Sequence, residues 1–267
     1  MTNNSIANIL TGLPGRYLLK ISLYIINLAT FSTLALRDWY SNNRIFNKKS
    51  YSSMIAQIIF TGIDALPTIT LLGLAAGFVF TFRLIAVLDS IGAKDEIVNL
   101  LVNIICLGIG PFLAAIILIS RTGSAIVVDL GNMKLHGEIE GLEMLGININ
   151  NYLIAPRLIG CAISQLAITV YFTFIALVFG ITISGLFSSS SHFELLTEIG
   201  VAFTPYLVMV FITKNLLFGY VIAAISCYNG LRVHISPTEV PQQATRAIVN
   251  GLVAIFVIEG LLALALL

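Results

Sequence analysis

Apolar residues fall in long blocks along this chain, and short polar connections separate them. The blocks run approximately Tyr17 to Leu36, Met54 to Leu88, Ile97 to Ile119, Tyr152 to Phe187, Val201 to Tyr228 and Ile248 to Leu267. A run of about 20 apolar residues is long enough to cross roughly 30 Å of hydrocarbon as a helix. Inside a bilayer every backbone polar group must be satisfied within the protein, which leaves helices or closed barrels. The pattern therefore predicts an all-α integral membrane protein. The first block is the least apolar, since it carries Lys20, Ser22, Asn27, Thr30, Ser32 and Thr33.

One polar interruption stands out, Ser120 to Pro156, between two apolar blocks. Around Lys134 to Leu145 the apolar positions Leu135, Ile139, Leu142 and Leu145 recur at helical spacing, with Glu138, Glu140 and Glu143 on the rest of the surface. This predicts a short amphipathic helix outside the bilayer. Gly131, Gly137, Gly141 and Gly146 weaken it as an isolated helix, at roughly 1 kcal/mol each against alanine. Such a helix needs a surface to dock on, and that suits a transmission element; the alternative is a plain solvated loop.

Charge position sets the orientation. Lys and Arg number four between Leu36 and Met54, one in Asp89 to Glu96, three in Ser120 to Arg157, none in Ser188 to Gly200 and two in Asn229 to Ala247. The counts alternate high and low, and by the positive-inside rule the amphipathic helix lies in the cytoplasm. If Tyr17 to Leu36 also spanned, Arg16 would be placed outside, so this block is expected to be an interfacial or re-entrant helix. Thr33 and Ala35 form a crude signal-cleavage pattern, but Arg37, Arg44, Lys48 and Lys49 follow closely and resist export. The expectation is five transmembrane helices with the amino terminus inside, the segment 1–53 as interfacial helix and basic linker, and 54–267 as the membrane domain.

Composition agrees: 58% of residues are hydrophobic and 10% charged, with mean hydropathy +0.98, against about 25% charged in a soluble globule. A net charge of +1 without a basic stripe gives no nucleic-acid signature. Cys106, Cys161 and Cys227 show no CxxC spacing and read as packing residues. His136, His192 and His234 sit in three different connections, which argues against a histidine metal site. There is no GxxxxGK[ST] phosphate loop, HExxH or GxSxG, so the chain has no nucleotide-hydrolysing motif of its own. Ser124, in RTGSA, has no His relay and reads as a packing residue. Arg83, Lys214 and Glu259 fall well inside apolar blocks. Ionisable residues there are costly and mark a pathway, a pocket or a partner. Counted from Tyr228 and Ala247, Lys214 and Glu259 reach similar depths, so contact between them is expected.

The run RTGSAIVVDLGNMKLHGEIEGLEMLGININNYLIAPRLIG resembles the signature of the MlaE (YrbE) family of ABC-transporter permeases, which move phospholipid between bacterial membranes. GIDALPTITLLGLAAGFVF resembles the family's first span, GPFLAAIILISRTGSA its second, and YNG followed by ATRAIVNGLVAIFVIEGLLAL its carboxyl-terminal region. Together they cover about 54–267 in colinear order.

The resemblance implies a homodimeric permease of the bacterial inner membrane. Its implied partners are a cytoplasmic ATPase that binds ATP and Mg, a periplasmic MCE-domain protein, phospholipid and, optionally, a STAS-type subunit, with no cofactor in this chain. It further implies that Glu138, Ile139, Glu140, Leu142, Glu143, Met144 and Leu145 form the helix that couples to the ATPase. Phe80, Arg83, Leu84, Val87 and Leu107 are the candidate lipid-contacting residues. One departure stands out: Leu107 and Gly108 occupy the place where the family commonly has Arg-Glu, before Ile109-Gly110-Pro111. Two other readings remain, an ion-coupled secondary carrier using Lys214 and Glu259, and a membrane scaffold without transport.

Overall fold

The computed structural model describes residues 13–41, 48–91, 97–187, 202–233 and 236–265. Arg44, the turn Ser188 to Ser191, His192 and His234 lie outside them. Every regular element among the described residues is helical: α1 (Leu13–Ser41), α2 (Lys48–Gly62), α3 (Leu66–Ile91), α4 (Ile97–Asn103), α5 (Gly110–Leu118), α6 (Ser124–Leu135), α7 (Glu138–Met144), α8 (Ala155–Phe187), α9 (Pro205–Gly230) and α10 (Glu239–Ala265). Within them five helical stretches are long and apolar enough to cross a membrane: Leu66–Val87, Val98–Leu135, Asn150–Ile183, Pro205–Gly230 and Glu239–Ala265. These are the first to fifth spans, and α1 is not among them.

Three boundaries differ from the sequence expectation. The block Met54 to Leu88 is not one helix, because a 3-10 turn at Ile63–Ala65 separates α2 from α3 just before Pro67. The second span does not stop at Ile119. It continues for 38 residues to Leu135, about 57 Å at 1.5 Å per residue, through π-helical turns at Ile104–Ile109 and Ile119–Gly123. Beyond hydrocarbon a helix needs only one apolar face, and here Ile126, Val127 and Leu130 supply it while Asp129 and Asn132 are exposed. The fifth span starts at Glu239, not Ile248, with Pro241 in its first turn, where a missing N–H costs nothing.

Close packing sets the bundle. Gly73, Gly77 and Thr81 line the first span where it meets Phe172, Ala176 and Gly180 of α8. A Cβ on Gly77 would fall 2.4 Å from the Ala176 carbonyl oxygen, so only glycine permits this approach, the small-residue packing usual between membrane helices. Thr70 and Tyr171 reinforce the same pair through hydroxyls 2.8 Å apart. The second, third and fourth spans form the centre, with Leu101, Leu118, Phe172, Phe218 and Ile222 among the fully buried side chains. The first and fifth spans are the least covered.

A second apolar cluster lies at the α7 end of the bundle, where Ala35 of α1, Leu130 of α6, Leu158 of α8 and Ala223 of α9 meet. Lys134 there donates to the Leu231 carbonyl at 2.6 Å, a cation at the carboxyl end of α9. Arg157 pairs with Asp129 at 2.5 Å, tying α8 to α6. The three cysteines are buried and unbridged.

Candidate functional site: an intramembrane ion pair and a surface helix

Pro111 opens the intramembrane site. It has no N–H to give the carbonyl four residues earlier, which is Leu107, and Leu107 lies in the π turn Ile104–Ile109. Lys214 of α9 donates to that Leu107 carbonyl oxygen. Its ammonium also lies 2.7 Å from Glu259 Oε1 on α10 and 5.9 Å from the centre of the Phe218 ring. Lys214 is 4% exposed and Glu259 25%. One ammonium thus joins the second, fourth and fifth spans, and its charge is compensated by a carboxylate, a carbonyl dipole and an aromatic face.

The third span enters through Gln165, which is fully buried. Its Nε2 has three acceptors within reach, the Pro111 carbonyl and Thr169 Oγ1 at 3.2 Å and Asn215 Oδ1 at 3.5 Å. Two can be served at once, since the amide carries two donors. Asn215 in turn donates to the Phe211 carbonyl at 2.8 Å. Glu259 Oε2 and Gln165 Oε1 are buried with no hydrogen-bond partner among the described residues. Neither Gln165 nor Asn215 was singled out from the sequence; the available signal was a polar side chain within an apolar block.

The surface helix is shorter than expected and is framed by two glycines. Gly137 and Gly146 have φ of 71° and 74°, a region open to glycine. Gly137 turns the chain after α6, so Leu135 belongs to a different helix and does not share a face with Ile139 and Leu142. At the other end Ile147 N–H donates to the Leu142 carbonyl at 3.1 Å and Gly146 N–H to Glu143 at 2.9 Å, a Schellman closure. These two glycines therefore bound the helix and do not weaken it. Glu138 and Glu140 sit in the first turn, where the helix dipole favours carboxylates. Ile139 is buried and Leu142 partly buried against the second cluster, whereas Met144 and Leu145 are 87% and 76% exposed. Glu143 is exposed as well.

Four of the five candidate lipid residues, Phe80, Arg83, Leu84 and Val87, share one side of α3 by their spacing, and Leu107 lies on the second span. Phe80, Leu84 and Leu107 pack partly buried against the central core, while Arg83 and Val87 are exposed. α1 docks at the α7 end of the bundle: Tyr24 Oη accepts from Asn229 Nδ2 and Asn250 Nδ2, each at 3.3 Å, and its ring meets Tyr228 edge-on. Among the described residues no group of three or more His, Cys, Asp or Glu could hold a metal ion.

Five apolar spans cross-linked by buried polar groups, with a helix presented at one end, define a multi-pass α-helical membrane protein. The profile of the family described as Permease MlaE matches residues 54–265, and the chain belongs to that family. It is 24% identical over 246 residues to a probable ABC transporter permease protein of Rickettsia prowazekii, covering 92% of this chain and 93% of that one. It is 28% identical to a probable ABC transporter permease protein of Synechocystis over 68% and 69% of the two chains. The intermembrane phospholipid transport system permease protein MlaE of Haemophilus influenzae is 24% identical over 80% of this chain and 83% of its own.

Proposed function

We propose that this chain is the membrane subunit of an ABC transporter that moves phospholipid between the bacterial inner membrane and a periplasmic MCE-domain partner. The observation that carries the reading is the family match across all five spans, supported by similarity to the phospholipid transport permease of Haemophilus influenzae. ATP and Mg belong to a separate cytoplasmic ATPase, in keeping with a sequence that has no phosphate-binding loop of its own.

In this reading the amino terminus and α7 face the cytoplasm, as the alternation of basic residues supports. α1 lies in the interface, where its exposed Leu19, Leu23, Ile25 and Ile26 meet lipid. α7 is the coupling helix: Ile139 and Leu142 hold it to the bundle, and Glu143, Met144 and Leu145 meet the ATPase. Two copies of the chain pair, and the first and fifth spans are the ones least covered within a single copy. Arg83 serves the lipid phosphate, and Lys214 with Glu259 is structural support for the lipid path.

Gentle purification from membranes followed by native mass spectrometry tests the proposal. It predicts two copies of this chain with an ATPase, an MCE-domain protein and phospholipid. Recovery of the chain without ATPase or phospholipid would favour the scaffold reading.

A further inference from the structure

A slot of about 510 Å³ opens between the third and fourth spans, in the half of the bundle remote from α7. Its lips are Val170, Phe174 and Val178 on α8 and Phe203, Val208 and Ile212 at or near the start of α9, all exposed. Its floor is Cys106, Leu207 and Phe211, which are buried. Among the described residues no charged side chain lines it, and the one hydroxyl there, on Thr173, already donates to the Val170 carbonyl at 2.9 Å. A polar headgroup would find no partner there, at a cost of several kcal/mol per unsatisfied group.

Both walls are membrane spans, so the slot opens into hydrocarbon. Along α8 it runs from Leu166 to Ile181, about 22 Å, somewhat more than the ~15 Å of one leaflet. A membrane helix of a partner is about 10–12 Å across with its side chains; it could lie over the lips but would not fill a slot of this volume. We propose that the slot holds an acyl chain of a bilayer phospholipid; Phe80, Arg83, Leu84, Val87 and Leu107 are not among the residues that line it. The site selects the chain and is indifferent to the headgroup. This rests on the membrane architecture and stands whether or not an ATPase drives the protein.

The test uses the intact complex in phosphatidylethanolamine vesicles containing a tracer of the same lipid with a diazirine in one acyl chain. After irradiation, adducts are mapped by peptide mass spectrometry. Cys106, Leu207 and Phe211 should label above the fully buried Phe218, although bulk lipid does not reach a closed floor. In Val178→Trp and Val208→Trp, which fill the slot from exposed lips, floor labelling should fall to the Phe218 level. Ile163 and Leu217, exposed on the same spans outside the slot, should label as before. Floor labelling equal to Phe218 in the unmodified protein, or unchanged by both tryptophans, would leave boundary lipid only and overturn the proposal. Labelling of the isolated chain that vanishes in the complex would assign the slot to a partner's helix and overturn it equally. ATP hydrolysis by the same samples reports on the transporter reading separately.

Discussion

Lys214 and Glu259 meet through an ammonium-to-carboxylate contact of 2.7 Å between the fourth and fifth spans, and the same ammonium caps the Leu107 carbonyl of the second. The carbonyl makes the site asymmetric. A carboxylate at position 214 would face an acceptor, so exchanging the charges, Lys214→Glu with Glu259→Lys, should restore only part of the stability lost in either single variant. Lys214→Met should cost roughly 3 to 5 kcal/mol, as expected when one partner of a buried pair is removed. Glu259→Gln, which keeps an acceptor for Lys214, should cost less. Thermal unfolding in detergent reads all three, and full recovery in the exchanged pair would remove the Leu107 carbonyl from the account.

Tyr24 joins α1 to the last two spans by accepting from Asn229 and Asn250. Tyr24→Phe keeps the ring contact with Tyr228 and loses both hydrogen bonds, at about 0.5 to 1.5 kcal/mol each. Asn250→Ala should then cost less in the Tyr24→Phe background than alone. Equal costs in the two backgrounds, read by the same unfolding assay, would mean that the bonds contribute nothing.

Arg83 is exposed on the first span, and a guanidinium can bind two phosphate oxygens at once. Arg83→Ala should lower the phospholipid retained on purification, and Arg83→Lys should lower it less. Equal retention in the alanine variant would leave the side chain reaching for the membrane surface as its whole role.

On α7 the burial pattern selects which residues to change. Met144→Asp and Leu145→Asp alter exposed side chains and should abolish recovery of the ATPase while leaving the unfolding temperature unchanged. Ile139→Asp should unfold the α7 end instead. If both exposed variants bring down the ATPase at the normal level, this helix is not the contact.

The apolar blocks were legible because hydrocarbon thickness dictates their length, and the alternation of basic residues reduced the six blocks to an expectation of five spans. The extension of the second span to Leu135 was not legible, because outside hydrocarbon its buried stripe, Ile126, Val127 and Leu130, is interleaved with polar residues. Periodicity through Lys134 to Leu145 misled for a related reason: it counts positions as one helix and does not register the turn at Gly137. The contact of Lys214 with Leu107 had a trace in the sequence, a proline four residues after a carbonyl. Which cation would take that carbonyl depended on how the fourth span packs.

The central claim, ATP-driven phospholipid movement through this chain, is tested most directly by transfer of fluorescent phospholipid from proteoliposomes containing the permease, ATPase and MCE-domain protein to acceptor vesicles. The account predicts transfer that requires hydrolysable ATP, persists when a protonophore collapses the proton gradient, and fails in Leu145→Asp. Transfer that proceeds without ATP and stops with the protonophore would contradict it and make Lys214 and Glu259 the centre of an ion-coupled carrier.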